Sequence, residues 1–172
     1  MMETSKEAMT LEEYGDKLIN DDLGKLVESN PYFAFIVLAS AIEFIARCRD
    51  GNNAKESGKK YVETIDCLNS FAKYRKFTII KGKGHTNKIY TDLRCGLLHT
   101  TMPDKGIKLS SGENELQNNV VGCVSLYEDV KKAWAEIKSD PSILQYLQAN
   151  KGLVISETLP SNIEEKKKTE AY

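Results

Sequence analysis

Histidine is nearly absent from this sequence: His85 and His99 are the only two. Four cysteines, Cys48, Cys67, Cys95 and Cys123, lie too far apart for a zinc knuckle or a Cys-x-x-Cys redox pair. No metal site and no cofactor are expected, and the thiols read as reduced, mostly buried groups of a cytoplasmic protein. A basic-then-apolar leader is missing at the start, so secretion is not expected. The longest apolar run, between Tyr32 and Ala46, is broken by Ser40 and Glu43 and falls short of a comfortable membrane span. Internal repeats are absent. With a net charge of −1, the molecule has no global field for nucleic acid. The glycine-rich "KGKGHTNK" lacks the GxxxxGK[ST] spacing of a phosphate-cradling loop.

What is present suits one soluble domain. Apolar residues make up 41% and charged residues 28% of 172 positions, enough for a single core. Residues 1–9 read as a flexible N-terminus, 10–150 as the domain, and 151–172 as a mobile tail, since "SNIEEKKKTEAY" cannot pack. Helical spacing runs through Leu11, Tyr14, Leu18, Leu23 and Leu26. Asn30-Pro31 supplies a cap and a first-turn proline for a helix from Tyr32 to about Arg49, apolar nearly all round and therefore central. A third helix is expected from about Ser57 to Lys73, with Tyr61, Ile65, Leu68 and Phe71 inward. Residues 76–86 read as a loop with at most a short strand. A fourth helix runs from near Asn87 to near Leu98, with Ile89, Leu93 and Leu97 facing the core. After a turn at Met102–Gly106, Ile107–Ser110 and Val120–Ser125 read as strands of a hairpin closed by "SSGENELQNN". Two last helices follow, Leu126–Lys138 and a short one from Pro141 through Leu147. The expected fold is mainly α: a bundle of five or six helices with a small β-hairpin insertion.

Charge is unevenly spread. Lys73, Arg75, Lys76, Lys81, Lys83, Lys88 and Arg94 face Asp92 alone in residues 73–94, a local basic face that can attract phosphates. As the bland alternative, lysines and glycines in a surface loop are ordinary turn chemistry. Within the apolar second helix, Glu43 must be paired, protonated or at a rim. Its candidate partners are Arg47, four residues on, and Arg94 from across the bundle. Ser40 lies one turn away on the same face.

In "YTDLRCGLLH", residues 90–99, Arg94 and His99 stand five residues apart. About 140° separates them around a continuous helix, so both meet at one phosphate only if the helix ends near Leu98 or a second copy supplies the other half. Gly96 costs about 1 kcal/mol inside a helix, which close approach of another helix, including a two-fold mate, would offset. The bland reading is a helix-ending histidine on the last carbonyls and a Glu43–Arg94 ion pair. Tyr90 packs on the guanidinium or borders the cleft, and His85 reads as a surface loop residue.

Arg94-Cys95-Gly96-Leu97-Leu98-His99 resembles the Arg-x4–6-His signature of the HEPN superfamily, and "YFAFIVLASAIEFIA" resembles that fold's long apolar helix with its embedded acid. The resemblance spans roughly residues 10–147. It implies a helical bundle that dimerises and, in many members, metal-independent endoribonuclease activity in toxin–antitoxin or defence systems, with an antitoxin or partner protein. Other members keep the fold as non-catalytic binding modules for a protein or nucleotide. The resemblance puts Arg94 and His99 at the two signature positions. Cys95 departs from the polar residue, often asparagine, common after that arginine. The pair suits the reaction on its own terms. His99 moves protons near neutral pH, Arg94 meets charge on phosphoryl oxygens, and Lys81, Lys83 and Lys88 are placed to hold flanking phosphates of an RNA.

Overall fold

The computed structural model describes residues 8–51, 57–81, 84–100 and 106–151. Among them lie seven α-helices and two small two-stranded sheets, one an antiparallel hairpin, so the chain is a mainly helical bundle with a β-hairpin. Thr10 opens helix α1 (Leu11–Asp16): its side chain accepts from the Glu13 amide while the Glu13 carboxylate accepts from the Thr10 amide, a capping box. The rod continues through a π-helical turn, Lys17–Asp22, into α2 (Leu23–Ser29). Its deepest residues are Gly15, Ile19, Leu23 and Val27, an i, i+4 line. On a pure α-helix such a line drifts by about 40° per step, and the wider π-turn takes drift back. Leu11, Leu18 and Leu26 pack at the margin of the core instead.

Gly15 is held by Trp134, because a Cβ there would collide with the indole ring. The indole Nε1 donates to Asp16 Oδ1 at 2.7 Å, which locks it in place. Gly15→Ala is therefore expected to lower stability by about 1–3 kcal/mol through overpacking, although alanine is intrinsically the better helix former by about 1 kcal/mol. Thermal unfolding checks this, and an unchanged melting temperature would mean that the indole swings aside freely.

Helix α3 (Pro31–Arg49) starts as its sequence dictates, with the Asn30 side chain accepting from the Phe33 amide and Pro31 in the first turn. Leu38, Ile42 and Ile45 are wholly buried, and α3 packs against α2, α4 and α6. At 19 residues it is long and apolar enough to cross a membrane, contrary to the sequence reading, yet half of it is buried inside the bundle, as in the core helix of a globular fold. Gly51 ends the segment at φ 70°, a conformation glycine adopts without steric cost.

The third helix is shorter than expected. Helix α4 (Ser57–Cys67) stops where Leu68 turns extended, and a 3₁₀ segment, Asn69–Phe77, follows. That break exposes fresh amide donors, which Glu136 satisfies from 67 and 66 residues away: its carboxylate accepts from the amides of Asn69 and Ser70 at 2.9 and 3.0 Å. Tyr61, Ile65, Leu68 and Phe71 are buried as their spacing predicts.

The hairpin lies elsewhere than expected. Strands β1 (Thr78–Lys81) and β2 (Gly84–Asn87) pair antiparallel within the segment read as a loop. The segment read as a hairpin instead pairs β3 (Lys108–Ser110) and β4 (Val120–Gly122) in parallel, Lys108 opposite Val120. Asn114 explains the reversal: its Oδ1 accepts from the Gly122 amide at 2.7 Å and its own amide donates to Ser125 Oγ, folding the connection back on itself. A Cβ at Gly122 would strike the Gly112 and Glu113 backbone, so the crossover needs glycine there.

Helix α5 (Gly96–Thr100) continues a second π-helical turn, Ile89–Cys95. Helix α6 (Cys123–Lys138) begins ahead of the expected Leu126, and α7 (Pro141–Ala149) is capped by Asp140. The expected turn at Met102–Lys105, the N-terminal residues 1–7 and the tail 152–172 lie outside the described residues.

Candidate functional site

Two helical pieces meet to form the site. From α3, Glu43 rises at the edge of the core with its side chain 13% exposed. Arg94 reaches it from the π-turn: Nε and Nη2 donate to Glu43 Oε2 at 3.0 and 2.7 Å. Arg47 Nη2 donates to the other oxygen, Oε1, at 3.1 Å. Both candidate partners of Glu43 are thus engaged at once, and one carboxylate between two guanidiniums leaves the cluster with net positive charge. Burial acts to lower the Arg94 pKa, but the hydrogen bonds and charge of Glu43 outweigh it and raise the value. Two of the five guanidinium N–H donors go to Glu43, so others remain for an anion.

Aromatic side chains back this arrangement. The Arg94 guanidinium carbon lies 5.8 Å from the Tyr90 ring centroid, and the Tyr90 ring lies 5.1 Å from that of Tyr61. Gly58 makes room for this contact, since a Cβ there would meet the Tyr90 hydroxyl at 2.7 Å. Tyr90 therefore packs on the arginine, as expected, and also borders the cluster.

The π-turn has a geometric consequence. Its bonds run from residue i to i+5, so Tyr90 and Cys95 come into line, whereas an α-helix would set them about 140° apart. Cys95 is half-buried at the end of this turn, next to Arg94. The same turn straightens the core stripe of Ile89, Leu93 and Leu97, each at most 1% exposed.

Other predicted positions fall around this cluster or away from it. His99 is exposed on α5 and makes no hydrogen bond or ion pair to the described residues. The helix beyond Cys95 is α-helical, so His99 stays well round the rod from Arg94, which is turned in toward Glu43. Gly96 is buried within the chain itself. Ser40 does not join the cluster: exposed, it donates back to the Ile36 carbonyl of its own helix at 3.0 Å. Lys88 flanks the π-turn beside Asp92 and Gly106. Lys81 ends β1, and Lys83 lies outside the described residues. His85 is on β2 rather than in a loop, with Nε2 at 3.1 Å from Asp66 Oδ2, which ties the hairpin to α4. Among the described residues no group of three or more His, Cys, Asp or Glu side chains is placed to hold a metal ion.

Sequence reasoning placed Tyr61 in the core and missed its second character. The residue is fully buried, yet its hydroxyl has no hydrogen-bond partner among the described residues, and its charged and polar surroundings are Arg94, Glu43, Cys95 and Tyr90. Burial pushes its pKa well above the ordinary phenol value. No local spacing signals this, because Glu43, Tyr90 and Arg94 come from other elements. Comparison with family models, with curated proteins and with solved structures finds no match for this chain.

Proposed function

We propose that this protein is a metal-independent endoribonuclease of the HEPN-like Arg–His type, acting as a homodimer on RNA. The observation that supports the reading most is the clamp on Arg94. A guanidinium held by Nε and Nη2 against Glu43 is oriented before substrate arrives, and a preorganised cation is what stabilises charge growing on phosphoryl oxygens. His99, exposed to solvent, takes the 2′-hydroxyl proton as the 2′-oxygen attacks phosphorus, or protonates the 5′-oxygen as its bond to phosphorus breaks. Since the two groups diverge on one rod, Arg94 of one copy works with His99 of the other across a two-fold axis. The resemblance would place such an enzyme in a defence or toxin–antitoxin system.

A second reading has its own support. His99 has no side chain among the described residues to fix its tautomer, and Cys95 stands where active members of the resembled family are commonly polar. The same face then serves as a non-catalytic module that binds a protein or nucleotide. One experiment separates the two: purified wild type, Arg94→Ala and His99→Ala are incubated with mixed RNA in a chelator, with solution mass measured in parallel. The enzyme reading expects a dimer whose cleavage falls roughly 100-fold or more in each variant. Cleavage that survives both substitutions, or that needs added divalent metal, defeats it.

A further inference from the structure

We propose that the outward face of α3 is the surface through which two copies of this chain pair, antiparallel about a two-fold axis at Ser40. That this pairing serves the Arg94 site rests on the proposed function, whereas the surface and its register do not.

The bundle leaves one line of α3 open. Its exposed residues are Tyr32, Phe33, Ser40 and Arg47. Phe33, Ser40 and Arg47 stand seven apart, with Ile36, Val37, Glu43 and Phe44 half-buried on the flanks. Such spacing makes a seam for another helix, because two heptads drift by only about 40° around a straight rod.

This seam is not the surface of a solvated helix. Phe33 is 56% exposed and Tyr32 44%, and their rings meet edge to face at 6.3 Å. Val124, 37% exposed, lies at the same end of the bundle, since its neighbour Cys123 places Sγ 3.4 Å from the Pro31 carbonyl oxygen. A surface helix carries polar residues on its outer face, and a contiguous exposed apolar patch marks an interaction site.

The layout of the seam names a second copy as the partner. Phe33 and Arg47 lie equally far from Ser40, about 10 Å to either side along the axis. An identical helix laid antiparallel across Ser40 therefore sets each Phe33 against the partner's Arg47. That side chain suits an aromatic ring: Glu43 Oε1 holds Nη2 at 3.1 Å, yet 45% of the side chain stays exposed, so the guanidinium is fixed without being covered. The middle of the seam suits close approach. Ser40 is small, and its hydroxyl already donates to the Ile36 carbonyl at 3.0 Å, so pairing buries no unpaired donor. A two-fold interface needs one patch that complements itself, and this one is aromatic at one end and cationic at the other. RNA is a poorer occupant, because the stretch from Phe33 to Ser40 holds no cation for its phosphates. Arg47 shares the Glu43 carboxylate with Arg94, so the partner's Phe33 stands at the rim of that cluster.

The full chain is tested by sedimentation over a wide concentration range, where we expect a monomer–dimer equilibrium. Ser40→Arg sets two guanidiniums side by side at the axis and should weaken pairing at least ~10-fold, with thermal unfolding confirming a folded variant. Ser40→Cys reads the register, since residues facing across a two-fold axis come within the ~7 Å that a disulfide spans between Cα atoms. Mild oxidation should link it into covalent dimers at least ~5-fold faster than the unsubstituted chain, which controls for the exposed Cys67. Phe33→Cys should link no faster than that control, because antiparallel pairing sets its two copies about 20 Å apart. Linkage of Phe33→Cys as fast as that of Ser40→Cys overturns the antiparallel register. A chain monomeric throughout, or a dimer indifferent to Ser40→Arg, overturns the surface. If pairing behaves as expected and the dimer cleaves no RNA, the endoribonuclease reading alone fails. Chelator-resistant cleavage by a dimer indifferent to Ser40→Arg keeps that reading and removes this surface.

Discussion

Arg94→Lys is expected to keep a positive charge opposite Glu43 and still lose roughly 100-fold in chelator-resistant RNA cleavage. On the proposed endoribonuclease reading the guanidinium does two jobs at once. Nε and Nη2 hold one carboxylate oxygen, and its remaining donors stay in the same plane for a phosphate. A lysine ammonium is a single point of charge on a flexible stem, so holding Glu43 uses the group that must also meet the phosphate. The companion substitution, Glu43→Gln, keeps the shape and removes the charge. It leaves Arg47 and Arg94 facing each other without a shared anion, and stability should drop by about 2–3 kcal/mol, below the full 3–5 for breaking a deeply buried pair because this pair sits at the rim. Cleavage rates and melting temperatures measured together tell the two roles apart. If Arg94→Lys cleaves at the wild-type rate, the guanidinium is not the transition-state cation.

The largest stability loss from a single surface-remote change is expected at Asn87. Its side chain is fully buried and joins three segments. Nδ2 donates to the Tyr74 carbonyl and to Thr78 Oγ1, each at 3.0 Å, and Oδ1 accepts from the Ile89 amide at 2.8 Å. Asn87→Ala leaves an acceptor in the 3₁₀ segment and a donor at the start of the π-turn unpaired in a dry interior. Each orphan costs about 1–3 kcal/mol, so a loss of about 3 kcal/mol is expected, on the order of 10 °C in melting temperature for a domain of this size. Amide exchange at Ile89 should accelerate by more than the global loss predicts, because its partner is gone. A loss below about 1 kcal/mol would mean that water replaces the amide at little cost.

The elements most legible in the sequence are those whose causes are local. Asn30-Pro31 announced the start of α3, Asp140-Pro141 that of α7, and the stripes Tyr61–Phe71 and Ile89–Leu97 marked buried faces correctly. Each depends on residues within a turn or two of one another. Glu43 was legible as a residue needing a partner, because a carboxylate in an apolar helix is costly wherever the chain folds. The misread pieces share a different cause. The direction of β4 depends on Asn114 gripping Gly122, the end of α4 on a carboxylate 66 residues away, and the straightened stripe Ile89, Leu93 and Leu97 on a π-turn that no residue type announces.

By itself, then, the sequence determined that this chain is a helical bundle, which helix is central, and that an arginine and a histidine stand five residues apart beside a lone acid. Periodicity and capping are short-range, so they survive without knowledge of the fold. The tertiary structure alone decided that Glu43 holds both arginines, that the Tyr61 hydroxyl has no hydrogen-bond partner among the described residues, and that Tyr90 packs between Arg94 and Tyr61. These are contacts between elements far apart in the chain, and their partners are chosen by packing of the core rather than by neighbours in sequence.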